Sequence, residues 1–432
     1  MTILLLWLKY PQSFKDTWKK NINYQHENQN QSSKRAHHHL IVASIDDLLT
    51  EILLRLPIRS LIRFKLVCKH WHSLITTPHF SLLRNPCPNP AVGLFLPCSD
   101  GRFSQIEYVT PELNSRLEYV PFSVGVPTTP PFRQLNFTEE PSGLRILQSC
   151  NGLLLCCSSF WGRYYCKRYY VYNPTTKRFS TLPKLDGGSW GSTGVRGMSL
   201  AFDPANSPHY KVVCIRGFEV DFEEFHYQIE VYSSEKGPWR KCGEPFTADV
   251  DFENGVYWNG AVHWISNRGG DSFYFNTDNQ VIEKMPMPPI PDGWDWRSNY
   301  YFGESCDHLH YIEIYGPQIQ FNVYEMKRDY SAWFVKYQVD LSPVVAANPG
   351  MIRDNFEPTD WYYYAFSVFG LVRGEQEEDS FLVLQIPGKA IRYNIVCQTF
   401  EIIHEFEGAE VDDSLRFPGV HGFQYIESLC CV

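Results

Sequence analysis

Three groups of residues are of types that bind metals or attack electrophiles. Cys150, Cys156, Cys157 and Cys166 form the densest cluster of thiols, and a closed set of four such ligands would make a tetrahedral zinc site. No Cys-x-x-Cys pair occurs among them, and they fall mostly on predicted strands, where a thiol packs as a small hydrophobe. His263 stands beside Trp264 in an alternating run, and His308 and His310 share another. Ligands at the mouth of a funnel are one reading, and hydrogen-bonded structural residues are the expected one. His37, His38 and His39 lie in a leader rich in Asn, Gln and Lys, where a solvated tail is expected. Phosphate loops, zinc-protease helices and serine nucleophile elbows are missing. The expectation is therefore no catalytic residue, no metal and no cofactor.

Aromatic side chains offer a different chemistry, that of protein contact. Trp161 with Tyr164, Trp294 with Trp296, and Trp361 with its three following tyrosines flank turn-rich connections, and Trp and Tyr are enriched at interface hot spots. These five named residues are the candidate target-binding set. Other signals point nowhere: the run Glu375 to Asp379 reads as a solvated loop, and Leu429 spoils a prenylation pattern at the terminal Cys430-Cys431-Val432.

The chain has 432 residues, 44% hydrophobic and 20% charged, enough to bury a large core. Its 16% aromatic content tilts the bulk of it toward strands. A formal charge of −9 gives no basic field for phosphate backbones, so nucleic acid is not an expected partner. Thirteen scattered cysteines and no export signal imply reduced thiols in the cytoplasm or nucleus. The apolar stretch Ile3 to Leu8 is too short to span a bilayer, and no membrane is expected as a partner. Residues 1–43 read as a disordered segment.

The elements that organise the chain begin at Ser44. Ile45, Leu48, Leu49, Ile52, Leu53 and Leu56 recur at helical spacing and make one broad apolar stripe. Ser44 with Asp47 resembles a capping box, and Pro57 stops the helix. Ser60 is placed to cap a second helix carrying Leu61, Phe64, Val67 and Cys68, and Trp71, Leu74 and Ile75 make a third short stripe before Pro78. A unit of about 40 residues is marginal alone, so part of the stripe should face a partner.

Ile45-Asp46-Asp47-Leu48-Leu49, the Leu56-Pro57 break and Val67-Cys68-Lys69-His70-Trp71 together resemble the plant-type F-box motif over residues 44–83. The resemblance implies that Ile45, Leu48, Leu49, Ile52, Leu53, Leu56 and Pro57 contact a Skp-family adaptor, and through it a cullin. It implies that Phe64, Val67, Cys68 and Trp71 hold the helices together. F-boxes usually open with Leu-Pro, and Ser44-Ile45 stand there instead.

Residues 84–91 are proline-rich and read as a linker. Beyond it, short apolar or alternating runs are separated by Gly, Pro, Asn and Asp turns, with no long helical stripe. Asn151-Gly152-Leu153-Leu154 rhymes with Asn259-Gly260-Ala261-Val262. Val171-Tyr172, Val231-Tyr232, Tyr274-Phe275 and Val323-Tyr324 follow one another at 60, 43 and 49 residues, a period suited to four-stranded propeller blades. The stretch from Ser149 to Leu154, Tyr172-Asn173-Pro174 with Leu182-Pro183, and Phe202-Asp203-Pro204 resemble the F-box-associated domain of plant F-box proteins.

The expected fold is thus α+β and multidomain. A small three-helix F-box precedes an all-β propeller-like, kelch-like domain over 92–407, and a C-terminal strand and tail occupy 408–432. The family implies a non-catalytic substrate receptor of a Skp-cullin-F-box ubiquitin ligase, holding an unknown target protein on the β-domain. A glycan- or ligand-binding propeller with a vestigial F-box is the alternative.

Overall fold

The computed structural model describes residues 45–84, 91–97, 116–123, 131–140, 143–158, 168–185, 194–220, 224–266, 269–406, 415 and 422–432. Thr50–Val432 hold together as one compact unit. Residues 1–43, expected to be disordered, most of the linker, and the candidates Trp161, Tyr164 and Cys166 lie outside the described residues.

Helix α1 (Ile45–Leu54) begins with Asp46 and Asp47, carboxylates that favour the positive end of the helix dipole. Pro57 is extended, at φ −56° and ψ 144°, and opens α2 (Ile58–Phe64). Cys68 precedes α3 (Lys69–Thr76), and its sulfur accepts a hydrogen bond from the Trp71 N–H at 3.4 Å. Sequence reasoning ends the third stripe before Pro78 and expects three helices over 44–83, whereas the structure starts a fourth there, α4 (Pro78–Arg84). A proline costs nothing at the first helical position, where its N–H would be unpaired anyway.

The β-region begins with β1 (Gly93–Pro97) and β2 (Leu117–Pro121). Five four-stranded meanders follow: β3 (Leu144–Cys150), β4 (Leu153–Ser158), β5 (Tyr169–Asn173) and β6 (Arg178–Thr181); then β7 (Gly194–Ala201), β8 (Lys211–Val220), β9 (Glu224–Ser233) and β10 (Arg240–Phe246). The third holds β11 (Val256–Trp258), β12 (Ala261–Trp264), β13 (Ser272–Asn276) and β14 (Val281–Met285); the fourth, β15 (Asn299–Ser305), β16 (His308–Glu313), β17 (Gln320–Met326) and β18 (Trp333–Asp340). Helix α5 (Ser342–Ala347) leads into the fifth, β19 (Ser367–Val372), β20 (Phe381–Ile386), β21 (Lys389–Asn394) and β22 (Phe400–Glu405), before a last strand, β23 (Phe423–Tyr425).

Each meander is one antiparallel sheet in chain order, and β23 pairs with β1 to give a sixth, three-stranded sheet ordered β2-β1-β23. The fold is a six-bladed propeller closed by its C-terminal strand. The strand expected within 408–432 is β23, and it pairs inside the propeller: Phe95 faces Phe423, and Gly93 faces Tyr425.

Among the described residues six apolar clusters match this count, one between each pair of neighbouring blades. Leu155 and Val171 of the first blade meet Leu200 and Val212 of the second, and the series runs round to Phe95 and Tyr425 of the closing blade against Leu154 and Tyr172 of the first. Strands β4 and β5 are buried along their whole length, while β6 is largely exposed. Burial on both faces explains why the inner runs read as continuous apolar stretches rather than as alternation.

The rhyming motifs mark equivalent places. Asn151-Gly152 and Asn259-Gly260 are the tight turns after the first strands of their blades, and all four residues have positive φ, between 45° and 89°, as a primed hairpin turn requires. The aromatic-Asn pairs end third strands. Asn173 Oδ1 accepts from the N–H groups of Thr175 and Thr176, Asn276 Oδ1 from Asp278 and Asn279, and Asn394 Oδ1 from Val396 and Cys397. A short polar side chain that bonds the backbone two and three residues on is what builds such a turn.

Candidate functional site

The helices α1 to α4 bury Leu53, Ile58, Leu61, Ile75 and Phe80. Phe64 and Trp71 meet edge to face at 5.2 Å. Arg84 Nη1 donates to the Leu54 carbonyl at 2.7 Å, satisfying an acceptor that the end of α1 leaves unpaired. Arg59 Nε donates to Glu427 Oε1 at 2.7 Å and so ties α2 to the segment after β23. That hydrogen bond raises the arginine further above its ordinary pKa.

Two sequence expectations change here. Leu53, expected at the adaptor surface, has no exposed area and belongs to the helical interior. Val67 and Cys68, expected in the interior, lie exposed in the connection between α2 and α3. Leu48, Leu49, Ile52 and Leu56 are half-buried and Pro57 is exposed, while the side chain of Ile45 lies outside the described residues. Sequence reasoning missed Leu66, 86% exposed, and Leu83, 45% exposed. Their signal was an apolar residue lying off the stripes that build the helical core.

On the propeller, the connection 286–298 joins the third blade to the fourth, and 341–366 joins the fourth to the fifth. They bring Trp294 against Trp361 edge to face at 4.8 Å, with Tyr315 5.4 Å from Trp294. Trp296 and Tyr362 project into solvent, 59% and 64% exposed. Two candidates from distant sequence positions, Trp294 and Trp361, thus meet, and Trp296 lies two residues from Trp294 on the same connection.

The histidines are built into the blades. His263 is buried, with Nδ1 3.1 Å from the Val256 carbonyl and Nε2 3.0 Å from the Tyr330 hydroxyl. Burial pushes its pKa down to about 4, so the ring is neutral, donating to the carbonyl and accepting from the tyrosine. Glu325 gathers His308 at 2.9 Å, His310 at 3.5 Å and Arg373. Burial opposes its ionisation, but the hydrogen bonds of the two histidines outweigh it and hold the carboxyl far below the usual range. Burial raises the thiols of Cys150 and Cys156 well above ordinary values, which leaves them poor nucleophiles. No group of three or more His, Cys, Asp or Glu among the described residues is placed to hold a metal.

A cavity of about 120 Å³ opens where β3, β15, β23 and the residues leading into β11 meet. Gln424 spans it, donating from Nε2 to the Glu304 carbonyl at 2.8 Å and from its backbone to Ser149 Oγ at 2.9 Å. Glu304 lines the cavity, and its carboxyl accepts the Asp307 N–H at 2.6 Å. Burial, then the charge of Asp203, raises its pKa to about 8. Below about pH 4.5 the carboxyl is protonated folded and unfolded alike. Between there and about 8 only the folded state keeps the proton, so this group's contribution to stability falls as pH rises. Glu304→Gln should therefore melt at least about 2 °C higher than wild type at pH 9, roughly the shift from 1 kcal/mol in a chain of this size, and equally at pH 4. Equal melting at both pH values would contradict the assignment.

Helices over 45–84 leading into a six-bladed propeller define the class: a small helical segment followed by an all-β scaffold. Residues 46–83 match the family described as F-box domain, and 127–277 match that described as F-box associated beta propeller domain. F-box protein At5g07610 of Arabidopsis thaliana is 39% identical, with 91% of this chain and 93% of that protein covered. F-box protein At5g49610 of the same plant is 26% identical, covering 71% and 81%. The chain belongs to the plant F-box proteins that carry an F-box-associated β-propeller domain.

Proposed function

We propose that this protein is the substrate receptor of a Skp-cullin-F-box ubiquitin ligase. The observation that carries the reading is the pairing of an F-box whose Leu66, Val67 and Leu83 stand exposed with a rigid propeller that offers loops to a second protein. Apolar side chains of that size gain about 1.5–3 kcal/mol each when covered, and a Skp-family adaptor is the partner the F-box supplies. The half-buried Ile52 and Leu56, with Pro57, complete the docking surface. A cullin joins through the adaptor.

Catalysis in this reading is proximity: the receptor holds a target near a conjugating enzyme, and the bond-making residues belong to other chains. Its compartment is the cytoplasm or nucleus, where the free thiols of the described cysteines stay reduced. Co-purification with a Skp-family adaptor and a cullin tests the first half. Proximity labelling with and without a proteasome inhibitor tests the second, since a true target accumulates when degradation is blocked. A chain that binds glycans and captures no adaptor would overturn both.

A further inference from the structure

We infer that the surface made by the connections 286–298 and 353–364 docks an extended basic segment of the target protein, with Lys or Arg side chains lying over Trp296 and Trp361. The inference rests on the receptor reading and names what that receptor grips.

The surface is ready-made. Four prolines, Pro286, Pro288, Pro289 and Pro291, restrict the first connection. Trp333 Nε1 pins its start by donating to the Pro286 carbonyl at 2.7 Å, and the Ile314 N–H pins its end at the Ser298 carbonyl, 3.1 Å away. In the second, the Arg353 N–H bonds the Tyr363 carbonyl at 2.9 Å, and Asp360 Oδ1 accepts the Tyr362 N–H at the same distance. Loops held this way lose little entropy on binding. The packing of Trp294 between Tyr315 and Trp361 braces the cluster from beneath, while Trp296 stands 59% exposed and Trp361 38% exposed.

The charge around these rings is one-sided. Asp292, Asp295, Asp354 and Glu357 are exposed, and Asp360 is half-buried beside Trp361. The two connections carry only two cations. Arg297 is buried in an ion pair with Glu313 at 2.8 Å, and Arg353 donates to the Tyr362 carbonyl at 3.2 Å. Exposed indoles on connections rich in carboxylates attract cations by ring quadrupole and Coulomb field together, and they repel acidic chains. An aliphatic stem lying on the rings adds apolar contact.

The test uses the purified full-length chain and two capped peptides, one alternating Arg, Lys and Gly and one alternating Glu, Asp and Gly, with tryptophan fluorescence as the readout. The basic peptide should bind at least tenfold more tightly than the acidic one. Binding should weaken as ionic strength rises from about 0.1 M to about 1 M, where the screening length falls from about 10 Å to about 3 Å. Trp296→Ala should weaken it about two- to fivefold, as should Asp292→Asn combined with Asp295→Asn, all with unchanged melting. Equal binding of both peptides, no binding of the basic one at about 1 mM, or variants that bind like wild type would overturn the inference. Adaptor capture measured on the same preparations reads the ligase assignment separately, so either result can fail alone.

Discussion

Changing Leu56 and Leu66 together to Asp should cut capture of a Skp-family adaptor by at least about a hundredfold, since each truncated hot spot is worth about 2 kcal/mol or more and every 1.4 kcal/mol is tenfold. The pair is chosen from burial. Leu66 is 86% exposed and Leu56 half-buried, so neither substitution opens the helical interior. Leu53 makes the contrast. It has no exposed area, and Leu53→Ala should cost about 2–5 kcal/mol of stability through the cavity it leaves. A pull-down with purified adaptor, read beside a thermal melt, separates the two effects. Wild-type capture by the Leu56/Leu66 double variant would remove the exposed turn from the docking surface.

Removing residues 422–432 should prevent the propeller from folding. Tyr425, Ile426, Leu429 and Cys430 are each at most 7% exposed, and burying such side chains is worth about 1.5–3 kcal/mol apiece. Their sum is comparable to the 5–15 kcal/mol that holds a typical domain together. The deletion also strips polar partners, because Asn173 Nδ2 donates to the Ser428 and Cys430 carbonyls at 3.2 and 2.8 Å. The truncated chain should show no cooperative melt and should aggregate through the bared edge of β1. A soluble product with a normal melt would mean that five blades close without the sixth.

What the sequence disclosed follows the reach of the forces involved. Local chemistry was legible: the leucine stripe of α1, the Leu56-Pro57 break, the Asn-Gly turns and the aromatic-Asn pairs each depend on neighbours within a few residues. The repeat at Tyr172, Tyr232, Phe275 and Tyr324 marked third strands even though the spacing was irregular. Pairings between distant segments were not legible. Nothing near Phe95 announces that its partner is Phe423, so the last strand read as an appendage. The split of the F-box leucines between interior and surface was equally hidden, because a broad stripe has edges that only packing assigns. Glu304 looked like any polar residue in a strand, and its raised pKa arises from blades that meet only in three dimensions. The aromatic surface was half legible: composition singled out Trp294, Trp296 and Trp361, but their convergence depends on two loops from different blade junctions.

The strand that closes the ring imposes an order in time. Because β23 is made last and β1 first among the propeller strands, a ribosome building this chain releases five complete blades before the sixth can form. Throughout that interval β1 lacks the neighbour it will have on one side, and the faces that later hold Tyr425 and Ile426 stay wet. Exposed strand edges recruit other chains, and contacts this distant along the sequence form slowly. A chain closed this way carries an unpaired inner edge until its last strand arrives.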